Sequence, residues 1–300
     1  MGIMIDGKWV KENPQNKDGA FERIDSVFQG SIDQKELIDD PKRFDLYVSL
    51  ACPWAHRTLI FRKLKGLERF INVHEVDAYM GENGWSFSQA EPNVGAKYLS
   101  ELYAQHEGYT GKVTVPVLWD KHTKSIRCNE SAVIIHMMNS LWNHVADYPS
   151  LNFIPEEMLD EITVLNDFIY EKVNNAVYRT GFASEQKVYE KECHMLFAAL
   201  DELEKRLEGR QYLLGDSLLE PDIRLFTTLL RFDWVYFGHF KCNLRMLESY
   251  ENLFNYMKRI YKQVEDTVDR MHIQEHYYMS HPWINPNGIV PIGPETDYNK

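Results

Sequence analysis

The hydrophobic pattern changes character along the chain. Leu46–Leu50 is a short apolar run that predicts a strand, and Pro53–Lys65 places Leu59, Ile60 and Leu64 on one helical face. Gly66 stands where a helix C-cap favours glycine. Ile71–Val76 predicts a second strand. Residues 78–112 form a long stretch rich in Gly, Asn, Ser and aromatics, read as an insertion. Val113–Trp119, interrupted by Pro116, and Ser125–Cys128 predict two more strands, and Ser131–Leu141 a helix. From Pro155 onward the periodicity becomes helical: Pro155–Val177, Ser184–Glu208, a segment near Pro221–Tyr236, and Leu244–Gln274.

The first block runs β-α-β, insertion, β-β-α, the order of a thioredoxin-like domain. The expected plan is therefore an α/β thioredoxin-like N-terminal domain followed by an all-α C-terminal domain. Residues 1–44 are polar and punctuated by Gly7, Pro14, Gly19, Gly30 and Pro41, and are read as an extension lying over the fold. The α/β domain covers 45–149, a linker 150–154, the helical domain 155–280, and an extended tail 281–300, where Pro282, Pro286, Pro291 and Pro294 recur.

Composition narrows the function classes. The 300 residues carry a formal net charge of −12, which argues against a nucleic-acid partner. The four cysteines, Cys52, Cys128, Cys193 and Cys242, form no C-x-x-C pair and no zinc-binding spacing. That usage suggests a reducing compartment. The N-terminal residues show no signal-peptide pattern. Asp6 stands where N-myristoylation favours Ser or Thr. No run approaches a membrane span, so the expected location is the cytoplasm.

The chemistry concentrates at Leu50-Ala-Cys52-Pro53-Trp54-Ala55. Proline is favoured at the first helical position, which makes Cys52 the helix N-cap. There it faces unpaired backbone N–H groups and the positive end of the helix dipole. Both favour the nucleophilic thiolate over a thiol whose ordinary pKa is about 8.5. The alternative is a buried and inert cysteine. Dithiol oxidoreductases carry a second cysteine three residues on, but here that position is Ala55. A sulfur captured by Cys52 must be released by an external thiol, for which glutathione is the cytosolic candidate.

Two further segments fit this reading. Pro116 in Thr114-Val115-Pro116-Val117 is unwelcome inside a strand unless it has a special role. A cis bond there would turn the Val115 backbone outward to pair with an extended peptide such as glutathione; an edge-strand trans proline is the alternative. In Asn129-Glu130-Ser131-Ala132, Ser131 and the first N–H groups of a helix could hold the γ-glutamyl carboxylate, and Glu130 the ammonium. A plain N-cap is the competing explanation.

These segments resemble the glutathionyl-hydroquinone reductases, the Xi-class, omega-like glutathione transferases. The resemblance rests on YVSLACPWAHRTLIFRKLKGLE, KVTVPVLWDK, CNESAVIIHMMN and the tail HYYMSHPWINPNGIVPIGP, and runs from about residue 40 to 294. It implies the glutathione transferase fold, glutathione as co-substrate, no metal, and a homodimer. It implies that Cys52 attacks the sulfur of a glutathionyl-hydroquinone and that a second glutathione resolves the mixed disulfide. It places the glutathione site on Trp85, Val115, Glu130 and Ser131. Tyrosines near the hydroquinone would be Tyr178, Tyr236 and one of Tyr277 or Tyr278, each with core packing as the alternative role. Leu219-Glu220-Pro221-Asp222 departs from the family's Thr-capped pattern, and Asp222 is expected to cap backward.

Other signals carry less. His272-Ile-Gln-Glu275-His276 matches an H-x-x-E-H metal motif, but lacks a further ligand downstream. His56 is expected to face solvent or pack. Arg57, Arg62, Lys63 and Lys65 read as a solvated basic face of the first helix. Cys128, Cys193 and Cys242 are expected to pack. Two other readings remain open from sequence: an omega-type thiol transferase or dehydroascorbate reductase, and a non-catalytic glutathione-binding scaffold.

Overall fold

A computed structural model describes residues 2–11, 26–295 and 298. Among them, one unit comprises the chain up to Asn152 together with Thr267–Ser280. The second comprises Phe153–Asp266 and the segment from His281.

The N-terminal residues correct the reading of an irregular extension. Strands β1 (Gly2–Ile5) and β2 (Lys8–Lys11) form an antiparallel hairpin. The turn residues Asp6 and Gly7 both have positive φ, 48° and 74°. Asp-Gly between two short strand-forming segments is a strong hairpin signal, because this turn follows the natural twist of the strands. Residues 12–25, part of the same expected irregular extension over 1–44, lie outside the described residues. Helix α1 (Gln34–Asp39) opens on a capping box, with Asp33 and Glu36 each accepting from the other's backbone.

The main sheet has the order β4-β3-β6-β7. Its strands are β3 (Phe44–Val48), β4 (Asn72–Glu75), β6 (Val117–Asp120) and β7 (Ser125–Cys128). β3 pairs parallel with β4 and antiparallel with β6, which pairs antiparallel with β7. Helices α2 (Pro53–Lys65) and α4 (Ser131–Ser140) pack on each other. Every residue of β3 is buried, as expected for a strand covered on both faces. The insertion carries α3 (Leu99–Tyr103) and β5 (Gly111–Lys112), and β5 completes a second sheet in the order β2-β1-β5.

Alternation along β3 points Asp45 and Tyr47 at the insertion. The Tyr47 hydroxyl donates to Glu91 at 2.5 Å, and Asn93 donates to Asp45 at 3.1 Å. Glu91 also accepts from the backbone N–H groups of Asn93, Val94 and Ala96, so one buried carboxylate ties the loop to itself and to the sheet. Burial pushes the Asp45 carboxyl upward, but hydrogen bonds from His74, Asn93 and Lys121 hold it at about 2.

The basic face expected on α2 is solvated only in part: Lys63 lies at the surface and pairs with Glu68 at 3.7 Å. Arg57 and Lys65 are buried, and Arg57 lies over the Trp54 ring at 4.4 Å. Lys65 donates to the Leu151 carbonyl at 2.6 Å, and burial lowers its pKa. Arg62 donates to the carbonyls of Ile71 and Glu68. The heads of Lys65 and Arg62 thus satisfy loop carbonyls, which a charge pattern alone does not reveal.

The second unit contains α5 (Leu159–Ile169), α6 (Ala176–Phe182), α7 (Gln186–Arg206), α8 (Glu220–Leu229) and α9 (Glu251–Val264). Two of the connections are π-helical, Tyr170–Asn174 and Phe232–Tyr236. Asp222 caps α8 backward as expected, accepting from the N–H groups of Leu219 and Leu213, both at 2.9 Å. The stretch expected to run unbroken over Leu244–Gln274 is divided. After α9 and a 3-10 turn, α10 (Arg270–Ser280) groups with the sheet-bearing unit. His272, His276 and Ser280 recur every four residues, and that row of side chains hydrogen-bonds to the rest of the first unit.

Candidate active site

Strand pairing gathers the chemistry at one end of the main sheet. Tyr47 near the end of β3 pairs with Val117 at the start of β6, and Leu118 pairs with Cys128 at the end of β7. The segment after β3 (Cys52), the segment before β6 (Val115) and the segment after β7 (Glu130, Ser131) therefore emerge on the same edge.

Cys52 is the N-cap of α2, with φ −76° and ψ 119°, Pro53 opens the first turn, and no side chain caps it. Its thiol is part-exposed and donates to the Val115 carbonyl at 3.7 Å. The turn before it is fixed by Ser49, whose carbonyl accepts from Cys52 N–H at 3.1 Å and whose hydroxyl accepts from Ala51 N–H at 3.2 Å. Position 55 is a buried alanine. The Val115–Pro116 peptide bond is cis.

Glu130 is the N-cap of α4, and its carboxylate accepts from Ala132 N–H at 3.1 Å. The Ser131 hydroxyl donates to the same carboxylate at 3.4 Å. Asn129, buried beside them, donates to the Tyr103 hydroxyl at 3.0 Å and to Thr114 at 3.3 Å, and accepts from Phe28 N–H at 3.1 Å. This amide thus fixes the start of α4 against the Val115 segment.

Trp85 lies in the insertion and is buried, with 8% of its surface exposed. Its carbonyl accepts from Leu99 N–H at 2.9 Å. The His276 imidazole stacks on its indole, with ring centres 4.8 Å apart and planes 22° from parallel. His276 Nδ1–H donates to the Ala78 carbonyl at 2.9 Å, and Met80 N–H donates to the Ser280 hydroxyl at 3.0 Å. One helical turn earlier, His272 Nε2 lies 3.4 Å from the Ser49 hydroxyl. The H-x-x-E-H pattern therefore gives two histidines that face the Cys52 turn and the Trp85 loop. Among the described residues, no group of His, Cys, Asp and Glu is arranged to hold a metal ion. His56, expected at the surface or packed, is buried with its ring 2.8 Å from the Thr267 hydroxyl. Tyr277 is buried beside His276 at 5.3 Å between ring centres, and Tyr278 is part-exposed.

Tyr178 and Tyr236 meet in the second unit, with ring centres 6.1 Å apart. Tyr236 closes one π-helical turn, and Tyr178 follows the other. Phe240 stacks on Tyr236 at 5.4 Å and meets Tyr178 edge-on at 5.5 Å. Gly181 makes this possible: a Cβ there would lie 2.3 Å from the Phe240 ring.

The other three cysteines are buried. Burial pushes Cys128 up to about 11 and raises Cys193 and Cys242 as well, so these remain thiols. The residues that sequence reasoning missed are Ser49, His272 and His276. For the two histidines the signal is their spacing on α10, which also matches a metal motif; Ser49 carries no such signal.

An α/β unit with a solitary cysteine at a helix start, beside a cis-proline, joined to a helical unit defines a class of glutathione-handling proteins. Residues 51–141 match the family "Glutathione S-transferase, N-terminal domain", and residues 186–259 match "Glutathione S-transferase, C-terminal domain". The glutathionyl-hydroquinone reductase PcpF of Sphingobium chlorophenolicum is 47% identical, over 98% of this chain and 96% of its own. The glutathionyl-hydroquinone reductase YqjG of Escherichia coli K-12 is 42% identical over 100% of this chain and 97% of its own. A glutathione-bound structure of YqjG superposes with a TM-score of 0.83 at 46% identity, covering 86% of this chain and 87% of that one. The crystal structure of glutathione S-transferase Xi from Phanerochaete chrysosporium superposes with a TM-score of 0.91 at 47% identity, covering 94% of this chain and 95% of that one. The chain belongs to the glutathione transferase family, in the Xi class of the glutathionyl-hydroquinone reductases.

Proposed function

We infer that the protein is a glutathione-dependent reductase that removes glutathione from glutathionyl-hydroquinones. The observation that carries this reading is Cys52: a part-exposed thiol at an uncapped helix start, with alanine at position 55. The relatives named above carry the same activity in their names.

The chemistry follows from that placement. The helix start favours the Cys52 thiolate. The thiolate attacks the sulfur of the conjugate, a sulfur–sulfur bond forms, and the carbon–sulfur bond breaks. The electron pair of the broken bond stays on the ring carbon, which takes a proton and leaves as the hydroquinone. The thiolate of a second glutathione then attacks the glutathionyl sulfur of the mixed disulfide. Oxidised glutathione departs and the Cys52 thiolate is restored. No internal thiol competes for this step, because residue 55 is alanine.

In this scheme the Val115 backbone pairs with the glutathione peptide. Ser131 and the first N–H groups of α4 take the γ-glutamyl carboxylate, Glu130 takes the ammonium, and Trp85 covers the peptide. Tyr178, Tyr236 and one of Tyr277 or Tyr278 serve the hydroquinone, as phenols that hydrogen-bond ring oxygens or deliver the proton to carbon. Part-exposed Tyr278 is the more available of that pair.

The protein works as a homodimer in the cytoplasm. Exposed Val164 on α5 borders a groove of about 350 Å³ that mixes apolar Leu165, Phe168, Leu203 and Leu214 with charged Asp160, Glu161, Glu202 and Arg206, a surface offered to a second copy. Light scattering tests the dimer. Among the described residues no helix is long and apolar enough to cross a membrane, and a reducing compartment preserves the Cys52 thiol.

The functional test compares turnover of a glutathionyl-hydroquinone with that of a glutathione mixed disulfide. Preference for the hydroquinone conjugate, lost in Cys52→Ser, is expected. Turnover of the mixed disulfide alone would replace this reading with a thiol transferase. Binding of glutathione with no turnover of either substrate would leave a glutathione-binding scaffold, and turnover unchanged in Cys52→Ser would remove Cys52 from the mechanism.

A further inference from the structure

We propose that His276 is a positioning residue of the reductase, setting the Trp85 indole and with it the affinity for the glutathionyl half of the conjugate. The inference rests on the reading that Trp85 covers the bound glutathione.

The loop carrying Trp85 is held from two directions within the first unit. From the N-terminal hairpin, Trp9 Nε1–H donates to the Glu82 carbonyl at 3.1 Å, and Lys11 pairs with the Glu82 carboxylate at 2.5 Å. The Trp9 ring presses against Gly84, next to Trp85. A Cβ on Gly84 would lie 2.8 Å from that ring, and its φ of +78° disfavours a side chain. These contacts fix the backbone before Trp85 but leave the orientation of the indole to other groups.

His276 supplies that orientation. Its ring lies flat against one face of the indole, at 4.8 Å and 22°. The imidazole is itself fixed, because Nδ1–H donates to the Ala78 carbonyl at 2.9 Å. The Ser280 hydroxyl, one turn further along α10, accepts from Met80 N–H. The imidazole thus bridges the helix, the start of the insertion and the indole. Rotation of Trp85 away from its site would require giving up an aromatic stack. A residue that only filled space there would need neither the flat ring nor the Nδ1 donor.

The two properties separate by substitution. His276→Phe keeps a flat ring and loses the donor to Ala78. His276→Asn keeps a short amide donor and loses the ring. Steady-state kinetics on the full chain with a glutathionyl-hydroquinone, alongside thermal melts, form the test. The expected result for His276→Asn is a KM for the conjugate raised about five- to tenfold, with kcat within about twofold. His276→Phe should raise KM by only about two- to threefold. In a double-mutant cycle, adding His276→Asn to Trp85→Phe should cost little more than Trp85→Phe alone, because both act on the same contact. Additive effects in that cycle would overturn the proposal. So would a KM within twofold of the parent for both His276 variants while Trp85→Phe raises it. If Trp85→Phe itself leaves KM unchanged, the reading of Trp85 fails, and that outcome is distinct from failure at His276. Should His276→Asn not fold, the cycle with His276→Phe decides the question by the same additivity criterion.

Discussion

The starts of α2 and α8 solve the same problem in opposite ways. Every helix begins with backbone N–H groups that lack partners inside the helix. At α8 a buried carboxylate in the first turn reaches back: Asp222 accepts from the N–H of Leu219, the N-cap, from the N–H of Leu213 in the preceding loop, and from the Tyr256 hydroxyl at 3.0 Å. At α2 the N-cap is Cys52, and no side chain caps the turn. One start is closed for stability. The other is left open, which in the proposed mechanism favours a sulfur anion, at a cost in capping of about 1 kcal/mol. On the proposed mechanism, the comparison marks where the fold gives up stability for chemistry.

Substitutions at the two starts should separate along that line. The largest effect is expected from Cys52→Ser, which should lower turnover of a glutathionyl-hydroquinone by about a thousandfold or more, since an alcohol replaces the thiolate. Steady-state assays read this directly, and retention of a tenth of the activity would break the assignment. Next, Asp222→Ala should cost about 3 kcal/mol in urea denaturation, because two buried N–H groups lose their acceptor. Its kcat per folded molecule should stay unchanged, and a matching loss of kcat would blur the distinction between the two starts.

A third substitution sharpens the role of position 55. Ala55→Cys supplies the missing internal thiol. The glutathione adduct should then be short-lived, replaced by a disulfide between Cys52 and the introduced thiol, and turnover with glutathione alone should fall about tenfold. Intact mass and peptide mapping distinguish these species. The smallest effect is on stability at α2 itself. Cys52→Asp places a capping carboxylate at the open start and should raise stability by about 1 kcal/mol while abolishing activity. A melting temperature below that of the parent would show that the open start carries no such cost.

The cap of α8 also titrates. Burial pushes Asp222 up to about 6, against the downward pull of its hydrogen bonds, and burial does the same to Asp233. A carboxyl whose folded value exceeds its unfolded value of about 4 binds its proton more tightly when folded. Its contribution to stability is therefore full below about pH 4 and lost as pH rises through about 6. Asp45, held at about 2, behaves in the opposite sense: its contribution is present above about pH 4 and lost as pH falls toward 2. Urea midpoints measured from pH 4 to 7.5 should fall less steeply in Asp222→Asn than in the parent.

The contrast between the two starts also bears on what a sequence displays. The Cys52 motif was legible because all its parts are adjacent: strand, cysteine, proline, helix, and alanine at 55. The backward cap of Asp222 was legible for the same reason. The β1–β2 hairpin had an equally local signal in Asp6-Gly7, but the unbroken apolar run Ile3-Met4-Ile5 before it shows no alternation. Lys65 and Arg62 looked like surface charge because their carbonyl partners lie in loops that no helical pattern reports. The role of α10 was least visible. His276 and its Ala78 partner are 198 residues apart, and only the fold brings them together.

The central claim is that Cys52 forms a covalent bond to glutathione taken from a hydroquinone conjugate. Mass spectrometry of the intact protein after exposure to a glutathionyl-hydroquinone tests it most directly. The account predicts a gain of one glutathionyl group, mapped to Cys52, released as oxidised glutathione when free glutathione is added. No adduct, or an adduct carried by Cys128, Cys193 or Cys242 instead, would contradict it.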